Sequence, residues 1–524
     1  TAAGTVSING NNNAGLFFEN LFNNVTPNTN YNLPYDSARV ANFNIAKWKK
    51  SIVGIYQGEI EIGMKVGENT ISKNNVGVFS RSGQREGMNP EEDLGAPNQA
   101  DRTAGKNFIH TTDGKNTSSK GQPDYTKDAI HNLEIANTKI YFGKNAIDSI
   151  MIAAERGTVI DVGRPDKASK TLGREAYKEV TPGTTIADSA GQVTSSYNDS
   201  ANQAATGTVI AYSKGLWDNT YTGATTKNKL EGLPSEVNLY KPVIMSGRAT
   251  LNGTTLNRSV ALVASAGGVV NAKSTVTAKG YSSIIALAEG KSTGAKGVKN
   301  STVNITGDIT AKDEWAAKDE ATKPYLYNNI GAYAGANGKV NVAGNADIYG
   351  IGAMASGANA EANLNGTGNT IRSGKSGALV ATNGGVVNFG GGTITHSENF
   401  SGDHDSSTPF NADSSSHINF KGDTTLNISH GVLIPGTKAD YAAAPGTTKK
   451  YNGMSNVTVN LTGDNVVLAS NNGIHKVWDG KTIADLVKST MQVKAFNDNK
   501  HSYKIYYING TFDIDANINV GSAS

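Results

Sequence analysis

The chain reads Ala264-Ser265-Ala266-Gly267-Gly268-Val269-Val270-Asn271, and this block decides the fold because it recurs twice more. The other copies are Ala334-Gly335-Ala336-Asn337-Gly338-Lys339-Val340-Asn341 and Ala381-Thr382-Asn383-Gly384-Gly385-Val386-Val387-Asn388. All three keep an alanine, a glycine four residues later, a valine six later and an asparagine seven later. Each block follows a short apolar run, so the pattern predicts a strand, a glycine turn and a second strand.

The alanines that open these blocks set the length of the repeat. With the looser copies Ile285-Ala286-Leu287-Ala288 and Gly352-Ala353-Met354-Ala355, they fall at 264, 288, 334, 355 and 381, at intervals of 24, 46, 21 and 26 residues. We interpret the interval of 46 as two turns, one of them hidden by an insertion. A repeat in the low twenties is typical of a β-solenoid, in which each coil holds about three short strands. The sequence therefore predicts an all-β chain, a right-handed parallel β-helix with long loop insertions.

Stacking of coils explains which residues recur. Each inward position lies on the equivalent position of the next coil, about 4.8 Å away, so the core is built from columns of similar side chains. The recurring asparagines Asn271, Asn341, Asn388 and Asn460 could act as ligands. However, asparagine tolerates turns, and stacked amides can hydrogen-bond to one another as a ladder. We favour the ladder, which makes these residues part of the scaffold.

Composition excludes several classes of protein. Among 524 residues there is no cysteine, which removes thiol nucleophiles, zinc–thiolate sites and disulfides. The 48 Lys+Arg and 45 Asp+Glu are mixed along the chain and give a net charge of +3, which argues against nucleic acid as a partner. No apolar run approaches the ~18 residues of a membrane helix, and the first residues lack the pattern of a signal peptide. If the protein is exported, we expect its targeting and anchoring parts outside this sequence.

Long polar stretches without periodicity divide the chain. We predict irregular N-terminal coils or a cap over 1–50, the β-helix over 51–475, and coils that continue it over 476–524. The predicted insertions are about 81–128, 163–205, 214–236, 311–328, 400–416 and 433–453. Loops of this length tend to be functional or mobile. Near the end, Asn509-Gly510 predicts a hairpin, or two strands that turn a coil corner.

The sequence offers no convincing catalytic constellation. Gly402-Asp403-His404-Asp405-Ser406-Ser407 holds the residue types of a serine protease in the wrong order, and neighbours in sequence do not easily reach triad geometry. A polysaccharide lyase or hydrolase needs several acids on one face, whereas Glu59 with Glu61, and Asp513 with Asp515, are isolated pairs. The eight histidines lack the spacing of metal ligands. We therefore expect no enzyme activity, no metal and no cofactor.

Aromatic residues in two of the insertions are the candidates for binding. Recognition favours aromatic anchors within adaptable loops. The candidates are Trp217 and Tyr221 in the insertion 214–236, and Trp315, Tyr325 and Tyr327 in the insertion 311–328. The alternative is that these side chains cover the β-helix beneath their own loops, and the sequence leaves both possibilities open.

One family shares this combination of features. The strand Gly331-Ala332-Tyr333-Ala334, the Gly-Gly-Val-Val-Asn turns, the low-twenties period and the ending Tyr503-Lys504-Ile505-Tyr506-Tyr507-Ile508-Asn509-Gly510-Thr511-Phe512-Asp513-Ile514-Asp515 resemble the passenger regions of type V autotransporters, in particular the very large fusobacterial outer-membrane adhesins. The resemblance covers most of the chain from about residue 50 on. It implies a right-handed parallel β-helix on the surface of a Gram-negative bacterium, anchored through a β-barrel translocator that this sequence does not contain.

The resemblance also implies a partner. Loops on a β-helical stalk would bind a host cell-surface glycan, a host receptor protein or the surface of partner bacteria. The leading hypothesis is therefore an extracellular, monomeric adhesin segment without enzyme activity. The alternatives are a β-helical polysaccharide lyase or hydrolase, and a purely structural stalk.

Overall fold

The fold is all-β. A computed structural model describes residues 2–21, 54–63, 72–83, 131–135, 139–142, 146–155, 158–163, 193–194, 207–215, 235–245, 250–251, 254–255, 258–279, 283–294, 297–312, 329–374, 376–396, 408–432, 450–468, 491–497, 502–508 and 517–520. These residues form 39 strands and one turn of 3-10 helix at Met454–Asn456.

The strands of the first half of the chain are short. They are β1 (Ala2–Ile8), β2 (Ala14–Leu21), β3 (Gly54–Ile62), β4 (Ser72–Lys73), β5 (Val76–Gly83), β6 (His131–Ile135), β7 (Lys139–Phe142), β8 (Ala146–Ile147), β9 (Ile150–Glu155), β10 (Thr158–Val162), β11 (Val193–Thr194), β12 (Val209–Lys214), β13 (Glu236–Leu239), β14 (Val243–Met245), β15 (Thr250–Leu251), β16 (Thr254–Thr255), β17 (Val260–Ser265), β18 (Val269–Ala272) and β19 (Val276–Ala278).

The second half continues in the same way, with a few longer strands. They are β20 (Ile284–Glu289), β21 (Lys291–Gly294), β22 (Gly297–Ile305), β23 (Ile309–Ala311), β24 (Asn329–Ala334), β25 (Gly338–Val342), β26 (Ala346–Ser356), β27 (Glu361–Leu364), β28 (Asn369–Ser373), β29 (Leu379–Thr382), β30 (Val386–Phe389), β31 (Gly392–His396), β32 (Phe410–Ala412), β33 (His417–Phe420), β34 (Thr424–Val432), β35 (Tyr451–Asn452), β36 (Val457–Leu468), β37 (Met491–Asn497), β38 (Ser502–Ile508) and β39 (Asn517–Val520).

Most of these strands lie in three parallel stacks, which confirms the predicted parallel β-helix. The first stack is β2, β5, β9, β12, β17, β20, β24, the second half of β26, β29 and β32. The second stack is the start of β3, then β6, β10, β13, β18, β22, β25, β27, β30, β33 and β35. The third stack is the end of β3, then β7, β11, β14, β19, β23, the first half of β26, β28, β31, β34 and β36. From β5 to β34, each coil contributes to all three stacks, and the long strands β3 and β26 each belong to two of them.

One continuous apolar core runs inside the stacks, from Ile8 to Val459. It is built from columns, as the repeat predicts. The five repeated alanines Ala264, Ala288, Ala334, Ala355 and Ala381 are all fully buried and pair in this order from coil to coil. The interpretation of the 46-residue interval as two turns was wrong, because Ala288 pairs directly with Ala334. A single coil accommodates that interval, since it contains the antiparallel hairpin of β21 and β22 as well as the segment 313–328.

Three of the predicted insertions contain strands of the stacks and need correction. The strand β11 lies within 163–205, β32 within 400–416 and β35 within 433–453. In the last two, Phe410 and Tyr451 supply fully buried rings to the core. Strands of two or three residues are too short to show a period of two, so only pairing with the neighbouring coils identifies them.

The two ends of the chain also pair as strands. Within 1–50, β1 pairs with β3 and β2 pairs with β5, both in parallel. Near the other end, β38 pairs in parallel with β36 and antiparallel with β37. The turn predicted at Asn509-Gly510 lies outside the described residues.

The predicted asparagine ladder is present on the outer side of the second stack. Each amide nitrogen donates to the side-chain oxygen of the preceding coil at 2.6–2.9 Å, in the series Asp161, Asn238, Asn271, Asn304, Asn341, Asn363, Asn388, Asn419 and Asn452. Asn460 belongs elsewhere, because it donates to Asn427 in the third stack at 2.8 Å. The ladder has a direction, and Asp161, its first described member, accepts from Asn238 through a carboxyl oxygen.

A column of small polar residues stabilises the corner between the third and first stacks. Its members are small, polar and buried: Asn75, Ser149, Thr208, Ser259, Ser283 and Asn329. The side-chain oxygens of four of them, Asn75, Ser149, Ser259 and Asn329, accept hydrogen bonds from the backbone of the preceding coil, as from Ser283 N–H to Asn329 Oδ1 at 2.9 Å. These bonds satisfy buried amides where the strand ladder is interrupted. The corner therefore holds the first stack in a defined register.

Candidate binding face

The three stacks have different outer faces. The second presents the asparagine ladder. The third presents half-buried threonines at one position of the repeat, namely Thr277, Thr310, Thr370, Thr393, Thr425 and Thr458, with Asp347 in place of a threonine between Thr310 and Thr370. The first presents mainly apolar side chains. An apolar outer face is unusual in a solenoid, because outward positions usually meet water.

The apolar side chains of the first stack form a cluster separate from the core. It lies on β12, β17, β20, β24 and β26 and consists of Val209, Tyr212, Val260, Val263, Ile284, Leu287, Ile330, Tyr333, Ile351 and Met354. Strand alternation places them on the outer side: Leu262 and Ala264 are fully buried in the core, and Val263 between them points away from it. Four members of the cluster are only 8–9% exposed, namely Val260, Val263, Ile284 and Ile330, and the other six are half-buried. Pairing from coil to coil aligns the outward side chains in two parallel rows.

One row continues beyond the cluster in both directions. Towards the N-terminus it includes Ala153 and then Phe79 and Phe17, whose ring centroids are 5.4 Å apart. Phe17 is 47% exposed, so this end of the row is open to solvent. Towards the C-terminus it includes Val380 and changes to the exposed polar Asn411. We call the cluster and this continuation from Phe17 to Val380 the apolar strip.

A row of polar side chains runs beside the apolar strip. It occupies the outward position two residues further along each strand, where Glu155, Lys214, Ser265 and Glu289 stack in register. We call these four residues the polar row. The surface therefore combines an apolar track with carboxylate, ammonium and hydroxyl groups along one edge. Such a surface can bind a ligand that has an apolar face and polar edges.

Tyr212 joins the apolar strip to the polar row. Burial of its ring raises the pKa of the phenol, and the charges of Glu155 and Glu289 raise it further, against the lowering effect of a hydrogen bond with the Ser265 side chain. The phenol consequently stays protonated in the folded protein at pH values where a free tyrosine ionises. The neutral phenol lies at the edge of the strip, in a hydrogen bond with the Ser265 side chain.

This raised pKa leads to a prediction about alkaline stability. Because the pKa of Tyr212 is higher in the folded than in the unfolded chain, its neutral form supports folding fully below about pH 10, and that support is lost as the pH rises through the folded pKa. Tyr212→Phe should unfold with a weaker pH dependence above pH 10. The difference in near-ultraviolet phenolate absorbance between wild type and variant measures the titration directly. A transition at or below the pH of free tyrosine would contradict the buried, acid-flanked environment.

The residues predicted for binding are Trp217, Tyr221, Trp315, Tyr325 and Tyr327, and all five lie outside the described residues. The two segments that contain them adjoin strands of the first stack in the sequence. Residues 216–234 connect β12 to β13, and residues 313–328 connect β23 to β24.

The sequence reasoning missed two aromatic residues on the strands that adjoin those segments, Tyr212 on β12 and Tyr333 on β24. A signal existed, because each stands between two small residues, in Ala211-Tyr212-Ser213 and Ala332-Tyr333-Ala334. In a coil this narrow, a large side chain between two small ones points outwards.

One pair of side chains has the residue types of a catalytic nucleophile and base. Ser373 Oγ and His396 Nδ1 are 2.9 Å apart, but both side chains are fully buried in the solenoid, so no substrate reaches them. Asp403, His404 and Asp405 are outside the described residues. Within the part of the chain that the structure describes, no group of three His, Asp or Glu side chains is arranged to hold a metal ion, and no helix has the length and apolar character to cross a membrane.

Comparisons with protein-family models, with curated proteins and with solved structures gave no match.

Proposed function

We propose that this chain is an extracellular segment of a bacterial adhesin that attaches the cell to host cells or to partner bacteria, without enzyme activity. The observation that carries the proposal is the apolar strip, which follows the outer side of the first stack through ten residues on five successive coils and continues to Phe17 and Val380. Six of the ten cluster residues are half-buried and Phe17 is exposed, and an aligned apolar surface of this kind on a soluble solenoid commonly meets a partner.

The rest of the solenoid suits a passive support. The asparagine ladder satisfies its own amides, and the threonines of the third stack present small uncharged groups. A long stiff body with one distinctive face can display a binding surface at a distance from its point of attachment. Solenoid proteins commonly bind along extended faces of this kind.

Attachment can be tested with beads coated with the whole chain and mixed with cultured epithelial cells and with cells of other bacteria. We expect the wild-type protein to bind one of these cell types. The double variant Tyr212→Ala, Tyr333→Ala should reduce attachment at least about tenfold, because aromatic anchors at the centre of an interface contribute most of the binding energy.

The matched control changes the outer face of the third stack instead, with Thr277→Ala and Thr310→Ala. It should bind as the wild type does, and circular dichroism should show the same β-sheet content in all three proteins. Beads that attach to none of the cells would contradict the proposed function. Equal loss in the control and in the strip variant would show that attachment does not depend on the first stack.

A further inference from the structure

We infer that the apolar strip binds a linear glycan chain that lies parallel to the solenoid axis, with its sugar rings against the strip and its hydroxyl groups towards the polar row. This inference rests on the proposed function and names the chemical class of the partner. Three properties of the strip support it, namely its size, its chemistry and its spacing.

The strip is long and narrow. From Phe17 to Val380 it crosses nine coils, which corresponds to roughly 40 Å by 10 Å at the usual strand and residue spacings. A stable complex between two globular proteins buries about 800 Å² on each partner, so the strip is too small for a second copy of this chain. Its proportions fit a single extended polymer.

Two kinds of extended polymer compete, and the backbone of the solenoid distinguishes them. A bound peptide in extended form satisfies its amides by adding a strand to a free sheet edge. The strands beneath the cluster are paired on both sides, as β17 is with β12 and β20. A peptide lying flat over the apolar side chains would gain no backbone hydrogen bonds from the sheet. The strip therefore disfavours a peptide ligand.

The chemistry of a sugar ring matches the strip and its edge together. A pyranose presents C–H groups on its faces and hydroxyl groups around its rim. The negative face of an aromatic ring attracts such C–H groups, and Tyr212 and Tyr333 supply two rings. Carboxylates accept hydrogen bonds from paired hydroxyls, and Glu155 and Glu289 lie along the edge of the strip.

The spacing of the coils also suits a glycan. Strands of successive coils are about 4.8 Å apart, which is close to the length of one sugar unit in an extended chain. Aromatic rings stand at Phe79, Tyr212 and Tyr333, with one coil between the first two and two coils between the last two. A chain of several sugars could therefore contact successive coils in register, so affinity should rise with chain length.

The first test uses the coated beads and the cell type to which the wild-type protein attaches. Mild periodate oxidises vicinal diols of sugars and leaves the protein backbone intact. We expect periodate treatment of the cells to reduce attachment at least tenfold. Attachment that persists after periodate and disappears after protease treatment of the cells would overturn the glycan, while the adhesin would stand. Absence of attachment to every untreated cell type would instead contradict the adhesin itself.

The second test uses oligosaccharides released chemically from those cells and sorted by chain length. Long fractions should inhibit bead attachment at sugar concentrations at least tenfold lower than disaccharide fractions do. Tyr333→Phe, which keeps the ring, should retain attachment, and Tyr333→Ala should lose most of it. Inhibition that is independent of length, or no inhibition by any fraction, would overturn the proposed arrangement along the axis.

Discussion

Gly350→Ala is expected to lower the free energy of unfolding of the surrounding coils by about 2–6 kcal/mol, because the added methyl group would strain the backbone and clash with the neighbouring coil. Gly350 has a φ of 141°, which is nearly restricted to glycine. A Cβ atom there would lie 2.1 Å from the carbonyl oxygen of Asn329 and 2.6 Å from its nitrogen. Asn329 is fully buried at the corner between the third and first stacks, so its backbone has little room to move.

The measurement should resolve the effect along the solenoid. Because each coil contacts only its neighbours, destabilisation should stay local. Amide hydrogen exchange should accelerate in β24, β26 and β29 and remain unchanged in β10. Thermal unfolding followed by circular dichroism should begin at a lower temperature.

Gly384→Ala is the matched control for this prediction. Gly384 also has a positive φ, of 86°, but the nearest atom to an added Cβ is Ala358 Cα at 3.8 Å. The variant therefore carries the conformational cost alone, about 1–2 kcal/mol. An equal loss of stability in both variants would contradict the prediction, because it would show that the close approach of Asn329 to Gly350 adds nothing to the conformational cost.

The second large effect is expected from a charge within the asparagine ladder. In Asn304→Asp, the introduced carboxylate would face Asn271 Oδ1, which now accepts from Asn304 Nδ2 at 2.9 Å. Two acceptors would then meet without a proton between them. We expect the free energy of unfolding to fall by about 2–4 kcal/mol at neutral pH. The Asn271 oxygen loses its hydrogen-bond donor, and the two facing acceptor oxygens repel each other.

The pH dependence of this variant identifies the cause. Contact with the Asn271 oxygen raises the pKa of the introduced carboxyl group in the folded state, so its protonated form can donate and rebuild the ladder. Stability relative to wild type should therefore recover as the pH falls through that raised pKa. Unfolding in urea at several pH values measures this recovery. A loss that is independent of pH would indicate a steric cause.

Asp161→Asn provides the contrasting control. Asp161 is the first described member of the ladder and accepts from Asn238 Nδ2 at 2.9 Å, a role that an asparagine oxygen also fills. The variant keeps this hydrogen bond, so it should lose less stability than Asn304→Asp does. The comparison tests whether the cost in Asn304→Asp comes from a position that must donate as well as accept.

Much of the fold could be predicted from the residues themselves. Repeated alanines at Ala264, Ala334 and Ala381 predicted one inward column, and they do pair through successive coils. Repeated asparagines such as Asn271 predicted a ladder, which is present. Both predictions succeed because coil stacking imposes the same local demand each time, so that the same residue recurs.

The candidate site was less accessible to this reasoning. Tyr212, Leu287 and Tyr333 align on one face only because their strands pair in register. Nothing repeats at these positions except a large side chain between two small ones, and a pattern of that kind occurs in many strands. The aromatic residues of the two insertions stay predictions.

The sequence by itself determined that the chain winds into short strands with a narrow alanine-rich and valine-rich core, because each coil satisfies that requirement within its own repeat. Only the tertiary structure decided which coils are neighbours. The direct pairing of Ala288 with Ala334 and the strand at Phe410 depend on which segments leave the coil, and local propensity does not specify this. The apolar strip has the same origin, since a surface assembled from one residue per coil exists only after the coils have stacked.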